Sequence, residues 1–289
     1  MEWIELVLPG GELADEIAAL LAESAEAAAA GLEVRGEDIV VWAPASEAEA
    51  ARASLAAAVT RLAAEGFAVD PGAIRARPAP PEDEWRDAWK RWFHVRRISS
   101  RIVIVPSWES YSPAPDDVVL DLDPGRAFGT GAHASTRLCL TELERLSAEG
   151  LAVSRLLDVG TGSGILAIAA AKLWPQATGM GLDVDPLAVE CAAENLERNG
   201  IGARVVTADT ALGDVGGDFD LVLANIQADV LETLAPALVE RTRGALVLAG
   251  LLAPQAEPIA ACFVAHGLRL DRIHQLADDL DWSSVVLRR

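Results

Sequence analysis

The chain has 289 residues, about half of them hydrophobic, with 24 basic against 44 acidic side chains and a formal charge of −20. That length accommodates two domains with sizeable cores, and that hydrophobic share excludes a disordered chain. An acidic field of this size repels nucleic-acid phosphates, which argues against sequence-specific DNA and favours a cationic partner such as a basic protein, unless the acids serve solubility alone.

No apolar run approaches a membrane span; the stretch 244–254 is far too short, so no membrane partner is expected. The start carries Glu2, Glu5 and Glu12 and lacks the ordered regions of a secretory signal, so a cytoplasmic location is expected. Cys139, Cys191 and Cys262 lie far apart and form no CxxC. Neither a disulfide framework nor a metal site is expected, and all three read as small core residues.

Residues 2–8 alternate like a strand, and 11–30 read as an Ala-rich helix with Leu13, Ile17, Leu20 and Leu21 on one face. Strands 32–35 and 38–42 flank Gly36-Glu37 as a hairpin. Ser46-Glu47-Ala48-Glu49 opens a second helix with a capping-box pattern, and a short strand 73–77 closes the set. This β-α-β-β-α-β order is the ferredoxin-like arrangement. No paired titratable groups stand at helical or turn spacing within it. A domain over residues 1–78 without chemistry of its own is expected to serve recognition, with a structural role as the alternative.

Pro78-Ala79-Pro80-Pro81 stiffens the boundary, and residues 79–100 read as a linker with a helix over 82–93. Trp85, Trp89 and Trp92 share a stripe there, which is the pattern of a packed face. Arg86, Lys90, Arg91, Arg96, Arg97 and Arg101 form a basic island, read as a solvated face with ion pairs or as a contact for RNA or an acidic partner.

Residues 101–289 form the third segment. Strands 101–106 and 118–122 precede a polar loop, Asp123 to Thr136, which holds Phe128, Gly129, Thr130, Gly131 and His133 before a helix. Loops of this kind bind ligands. Ser135 or Thr136 is placed to cap that helix, or to bond a ligand carboxylate at its N-terminus, and His133 to orient a substrate.

The organising motif follows. Leu156-Leu157-Asp158-Val159-Gly160-Thr161-Gly162-Ser163-Gly164 runs from an apolar strand through three glycines into a helix. Such a turn lets backbone approach a ligand while the helix presents free N–H groups, the architecture of a nucleotide-like site. From here βα repeats continue: strand 178–182 ending in Asp183-Val184-Asp185-Pro186, strand 204–207 before Asp209, strand 219–224 ending at Asn225, then strand 245–248, a helix and two late strands. Strands alternating with helices imply a parallel doubly wound sheet with ligands at strand carboxyl ends, where Asp183, Asp209 and Asn225 all lie. The fold class is therefore α/β, a Rossmann-like doubly wound sheet with a small α+β domain in front.

Asp183 ends the second strand at the separation, about 20 residues, from which an acid meets ribose hydroxyls. A dinucleotide would use the same geometry. The glycines fall as GxGxG rather than GxGxxG, and Asp209 suits an exocyclic adenine amine, so S-adenosylmethionine fits better than NAD.

Leu157-Asp158-Val159-Gly160-Thr161-Gly162-Ser163-Gly164, Asp183-Val184-Asp185-Pro186, Leu223-Ala224-Asn225-Ile226 and Phe128-Gly129-Thr130-Gly131-Ala132-His133 together resemble the PrmA family, methyltransferases of ribosomal protein L11. The segment around Trp85, Trp89 and Pro106-Ser107-Trp108 is similar too. The resemblance implies a class I methyltransferase domain that binds S-adenosylmethionine, an N-terminal recognition domain, and ribosomal protein L11 as the partner, free or on the ribosome, with a monomeric enzyme. It makes Thr136, Gly160, Asp183 and Asn225 the cofactor contacts, with Asn225 also at the chemistry; the glycine turn and the third strand end add Gly162 and Asp209 to that set. Members often have Pro-Thr where this chain has Ala134-Ser135, and Cys where it has Thr161.

Asn225 is followed by Ile226-Gln227-Ala228 rather than by Pro-Pro and an aromatic that would stack on a flat group. A non-planar aliphatic amine is the better substrate. A side chain replacing Gly160 or Gly162 is expected to block the ligand before it harms the fold. The alternatives are a methyltransferase of another protein's lysines, an NAD-dependent oxidoreductase, and a non-catalytic ribosome-associated binding protein.

Overall fold

The structure is a computed structural model that describes residues 3–14, 17, 18, 21, 32–64, 67–79, 94–123, 131 and 133–289. The chain divides into two compact units, Met1–Arg91 and Trp92–Arg289.

In the first unit, strands β1 (Trp3–Pro9), β2 (Leu32–Arg35), β3 (Asp38–Pro44) and β4 (Arg75–Pro78) form one sheet in the order β2-β3-β1-β4. Every pairing is antiparallel. Alternation along β1 sends Leu6 and Leu8 into a core with Ile39 and Val41 of β3. Helix α1 (Ala48–Ala64) adds Leu55, Val59 and Leu62 at i, i+4 and i+7. Ile17 and Leu21 join the same core, whereas Leu13 is 46% exposed, because it belongs to a 3-10 turn, Gly11–Leu13, before the buried positions begin. The expected capping box also differs: α1 is entered through a 3-10 turn at Ala45–Glu47 headed by Pro44, with no side-chain cap. Glu5 is fully buried on β1, with Arg35 at 2.7 Å and Arg77 at 2.6 Å on its two oxygens.

The second unit is built on β8 (Arg155–Val159), β9 (Thr178–Leu182), β10 (Val205–Ala208), β11 (Phe219–Asn225), β12 (Thr242–Leu252), β13 (Arg269–Leu276) and β14 (Asp279–Arg288). Their order is β10-β9-β8-β11-β12-β14-β13. The first five are parallel, and β14 runs antiparallel to both its neighbours. Each strand serves both faces. Leu156, Leu221 and Leu223 pack with α2 (Ala134–Ala148) and α3 (Ile165–Leu173), while Leu157, Val222 and Ala224 pack with α5 (Ala228–Arg241) and α6 (Ala256–Ala265). Helix α4 (Pro186–Arg198) follows β9. This is the doubly wound sheet expected from the βα repeats. The late strands run longer than the apolar pattern marked and pair as one hairpin, which Arg145 of α2 ties down through Asp271 at 3.0 Å.

Strands β6 (Ile102–Val105) and β7 (Val118–Asp121) pair in a separate three-stranded sheet with β5 (Arg96–Arg97), too short to leave a sequence pattern. In the basic island, Arg97 donates to Asp117 at 2.8 Å, Tyr111 at 2.9 Å and the Ser100 carbonyl at 2.9 Å, and Arg101 to the Asp116 carbonyl at 3.1 Å. Trp85, Trp89, Trp92, Arg86, Lys90 and Arg91 lie outside the described residues, as does most of the helix expected over 11–30. Of the three cysteines Cys139 is fully buried, and burial pushes its thiol up; Cys191 and Cys262 are half-buried, Cys262 packing against the core and Cys191 meeting Asn195 Nδ2 at 3.7 Å. Among the described residues no helix is long and apolar enough to cross a membrane.

Candidate functional site

Where β8 ends, the backbone N–H groups of Gly160 and Thr161 both donate to the Leu182 carbonyl, at 2.8 and 2.9 Å, which closes the loop against the end of β9. Gly164 then donates to Thr161 and heads α3. Gly160, Gly162 and Gly164 have φ of 72°, 55° and 81°, the left-handed region where a Cβ is unfavourable. Asp183 completes this half. Its carboxylate accepts from Gly162 N–H at 2.8 Å and from Asp185 N–H at 3.1 Å. Asp185 in turn caps α4, accepting from Leu187 N–H at 2.9 Å, with Pro186 in the first turn.

Beneath the loop lies Asp158, fully buried, accepting from the Thr161 hydroxyl at 2.7 Å. Burial pushes its carboxyl up to about 6, and the Thr161 hydrogen bond offsets only part of that. Asp209 is exposed just past β10 and comes beside Asp183 through the backbone, since Asp183 N–H donates to Ala208 at 3.2 Å.

The other half stands across β8. Asn225, half-buried at the end of β11, donates through Nδ2 to the Thr136 hydroxyl at 3.4 Å, while its Oδ1 is buried with no hydrogen-bond partner. Thr136 is fully buried in the first turn of α2. Neither Ser135 nor Thr136 caps this helix. His133 does, its Nδ1 accepting from Ser135 N–H at 3.2 Å, and its ring meets Trp282 of β14 edge-on at 4.4 Å. His133 is thus engaged with its own helix through Nδ1. Phe128, Gly129 and Thr130 lie outside the described residues.

Gly160 corrects a further expectation. A Cβ there would stand 2.4 Å from Cγ2 of Ile226, in a left-handed conformation. A side chain at Gly160 therefore meets the protein before any ligand. Sequence reasoning passed over Trp282 and Gly250, and read Ile226 only as a non-aromatic neighbour of Asn225. A glycine interrupting the apolar run Leu248-Ala249-Gly250-Leu251 was the available sign of a bulge in a strand; nothing marked Trp282.

The family model described as ribosomal protein L11 methyltransferase (PrmA) matches residues 13–289. The chain belongs to this family. Curated relatives named ribosomal protein L11 methyltransferase include one from Syntrophotalea carbinolica, 46% identical over 64% of this chain and 61% of its own length. Another from Geobacter metallireducens is 46% identical over 68% of this chain and 66% of its own. The chain thus spans about six-tenths to two-thirds of the length of these relatives. The solved ribosomal protein L11 methylase from Lactobacillus delbrueckii subsp. bulgaricus shares the fold at 35% identity, with a TM-score of 0.61, covering 68% of this chain and 99% of that one. The doubly wound sheet of the second unit has the class I methyltransferase fold.

Proposed function

We propose that this protein transfers a methyl group from S-adenosylmethionine to aliphatic amines of ribosomal protein L11, acting as a cytoplasmic monomer on L11 free or on the ribosome. The observation that carries the reading is Asn225. Its buried Oδ1 lacks a partner beside a glycine loop and an acid at the next strand end, and a buried acceptor left empty implies a donor that arrives with a ligand.

The residues fit the cofactor. Asp183 spends one hydrogen bond per carboxylate oxygen within the protein, which leaves lone pairs for ribose hydroxyls. Asp209 lies beside it for the adenine amine. Gly162 keeps the loop free of a side chain where the methionine end would enter, Gly160 lines that entrance with backbone, and Thr136 at the α2 N-terminus meets the carboxylate. When bound, S-adenosylmethionine supplies an electrophilic methyl on a positively charged sulfur.

Asn225 Oδ1 then accepts an N–H of the incoming amine and aims its lone pair. The amine must first lose a proton, which for a lysine at neutral pH costs roughly 4–5 kcal/mol, less than positioning supplies. Desolvation meets that cost without a dedicated base. Ile226 packs into the core beside Gly160 and offers no flat stacking surface, which suits an aliphatic amine. The acidic balance of the chain favours a basic protein substrate. Residues 1–78 serve as the recognition module and 79–100 as the linker, since the buried carboxylate of the small sheet, Glu5, is already held by two arginines.

The test is incubation with labelled S-adenosylmethionine and purified L11, read by mass spectrometry. Methylated amines on L11 support the reading. Label on another protein alone moves the substrate and keeps the reaction; cofactor binding without any transfer removes the reaction.

A further inference from the structure

Asn225 stands at the last register position of β11. Its partner on β12 is Ala249, and beyond that pair the two strands part. On its other side β12 pairs Leu248 with Val285 and Leu251 with Ser283, so Ala249 and Gly250 together oppose one residue of β14. That is a β-bulge, and Gly250 occupies it with φ 80°. The bulge matters for what crosses it. A Cβ on Gly250 would lie 2.5 Å from the Ile226 carbonyl oxygen, 3.0 Å from its carbonyl carbon and 3.1 Å from its nitrogen. These are backbone atoms, which no rotamer change moves aside.

On the opposite flank, Gly160, the first residue past β8, leaves the space that Ile226 Cγ2 fills. Ile226 is therefore seated between two glycines, Gly160 just past β8 against its side chain and Gly250 in the β12 bulge against its backbone. We propose that Gly250 is a positioning residue for methyl transfer: its missing side chain lets the Asn225-Ile226 backbone descend onto the β12 bulge, which sets where Asn225 Oδ1 points. The inference rests on the reading that Asn225 orients the amine. Gly250 touches neither substrate nor cofactor in this account, and acts through the path of the chain. A displacement of about 1 Å at a reacting group costs on the order of 100-fold in rate.

The experiment compares Gly250→Ala, Gly250→Asn and the control Gly200→Ala. Gly200 has φ 68° but nothing within 4 Å of its Cβ direction, so its alanine carries backbone strain without a clash. Asn tolerates positive φ, so Gly250→Asn keeps the clash with less backbone strain than Gly250→Ala and is the variant that decides the test. We expect both Gly250 variants to lower kcat 10- to 100-fold with the dissociation constant for S-adenosylmethionine within threefold of wild type. The Asn225 side-chain amide resonances shift in both, and Gly200→Ala keeps kcat within twofold. Wild-type kcat in Gly250→Asn, or unshifted Asn225 resonances, overturns the proposal. Asn225→Ala is run alongside: if it too keeps kcat, the reading of Asn225 fails, whereas loss in Asn225→Ala with normal Gly250 variants removes Gly250 alone.

Discussion

On the β8–β9 side of the sheet, Asp183 accepts from Gly162 at 2.8 Å and from Asp185 at 3.1 Å, and Gly160 and Thr161 both donate to Leu182. On the β11 side, Asn225 has one 3.4 Å contact with Thr136 and a buried oxygen with no partner. In the first half the strand-end acid and the glycine loop are held by the protein's own hydrogen bonds, and the unpaired oxygen, Asp158 Oδ1, lies beneath the loop. The second keeps an acceptor in reserve, at the cost of a buried polar atom left unpaired. Preorganisation by backbone serves affinity, because little order is lost on binding. An empty acceptor serves chemistry, because it is satisfied only when the reacting group is in place.

Each half is broken by a different variant and read by a different constant. Asp183→Ala removes a charged acceptor and orphans two N–H donors. Hydrogen bonds to charged groups contribute about 1.5–3 kcal/mol each, so the dissociation constant for S-adenosylmethionine rises about 100- to 1,000-fold in calorimetry. Asn225→Ala lowers kcat about 100-fold in single-turnover assays while that dissociation constant moves by less than tenfold. Equal losses of affinity in both variants would erase the distinction between the halves.

A smaller effect concerns what lies beneath the loop. Unfolded, the Asp158 carboxyl titrates near 3.9; folded, burial holds it near 6. Below about pH 4 it is protonated in both states and the stabilisation from its raised value is fully present. As pH rises through about 6 that stabilisation is lost, on the order of 3 kcal/mol. Asp158→Asn cannot ionise and lacks this slope. Urea unfolding at pH 4 and 7 should show wild type losing about 2 kcal/mol relative to Asp158→Asn, and parallel profiles would mean that the buried carboxyl titrates normally. Glu5 provides the contrast: burial opposes its charge, but hydrogen bonds from Arg77 and Arg35 outweigh that and hold it below the usual carboxylate range. The carboxylate under the loop has a hydroxyl where the other has two guanidinium groups.

Much of this was legible along the chain. The alternation in β1 and β3 and the spacing of Leu55, Val59 and Leu62 placed the small core, and the βα rhythm placed Asp183, Asp209 and Asn225 at strand ends. Local patterns report such features because each is set by neighbours within a turn or a strand. Contacts between distant segments leave no such trace. Trp282 is about 150 residues from His133, and Gly250 about 25 from Asn225. The His133 cap was missed for a different reason: an imidazole is an uncommon cap beside Ser135 and Thr136, and only the geometry shows which side chain reaches the Ser135 N–H.

The smallest expected effect tests whether α2 belongs to the saturated half or to the reserve. His133 Nδ1 accepts a backbone N–H, which requires an imidazole with its proton on Nε2, and the edge of Trp282 steadies that ring. His133→Ala loses the cap, about 1 kcal/mol in urea unfolding. His133→Asn restores it, since Asn is a good cap. Thr136 lies within the turn so fixed, one hydrogen bond from Asn225. If α2 is part of the reserve, loosening its first turn lowers kcat/KM about threefold in His133→Ala and in Trp282→Ala, and His133→Asn and Trp282→Phe recover it. If stability falls while kcat/KM holds, Thr136 keeps its place without the cap, and the site's pliancy is confined to Asn225.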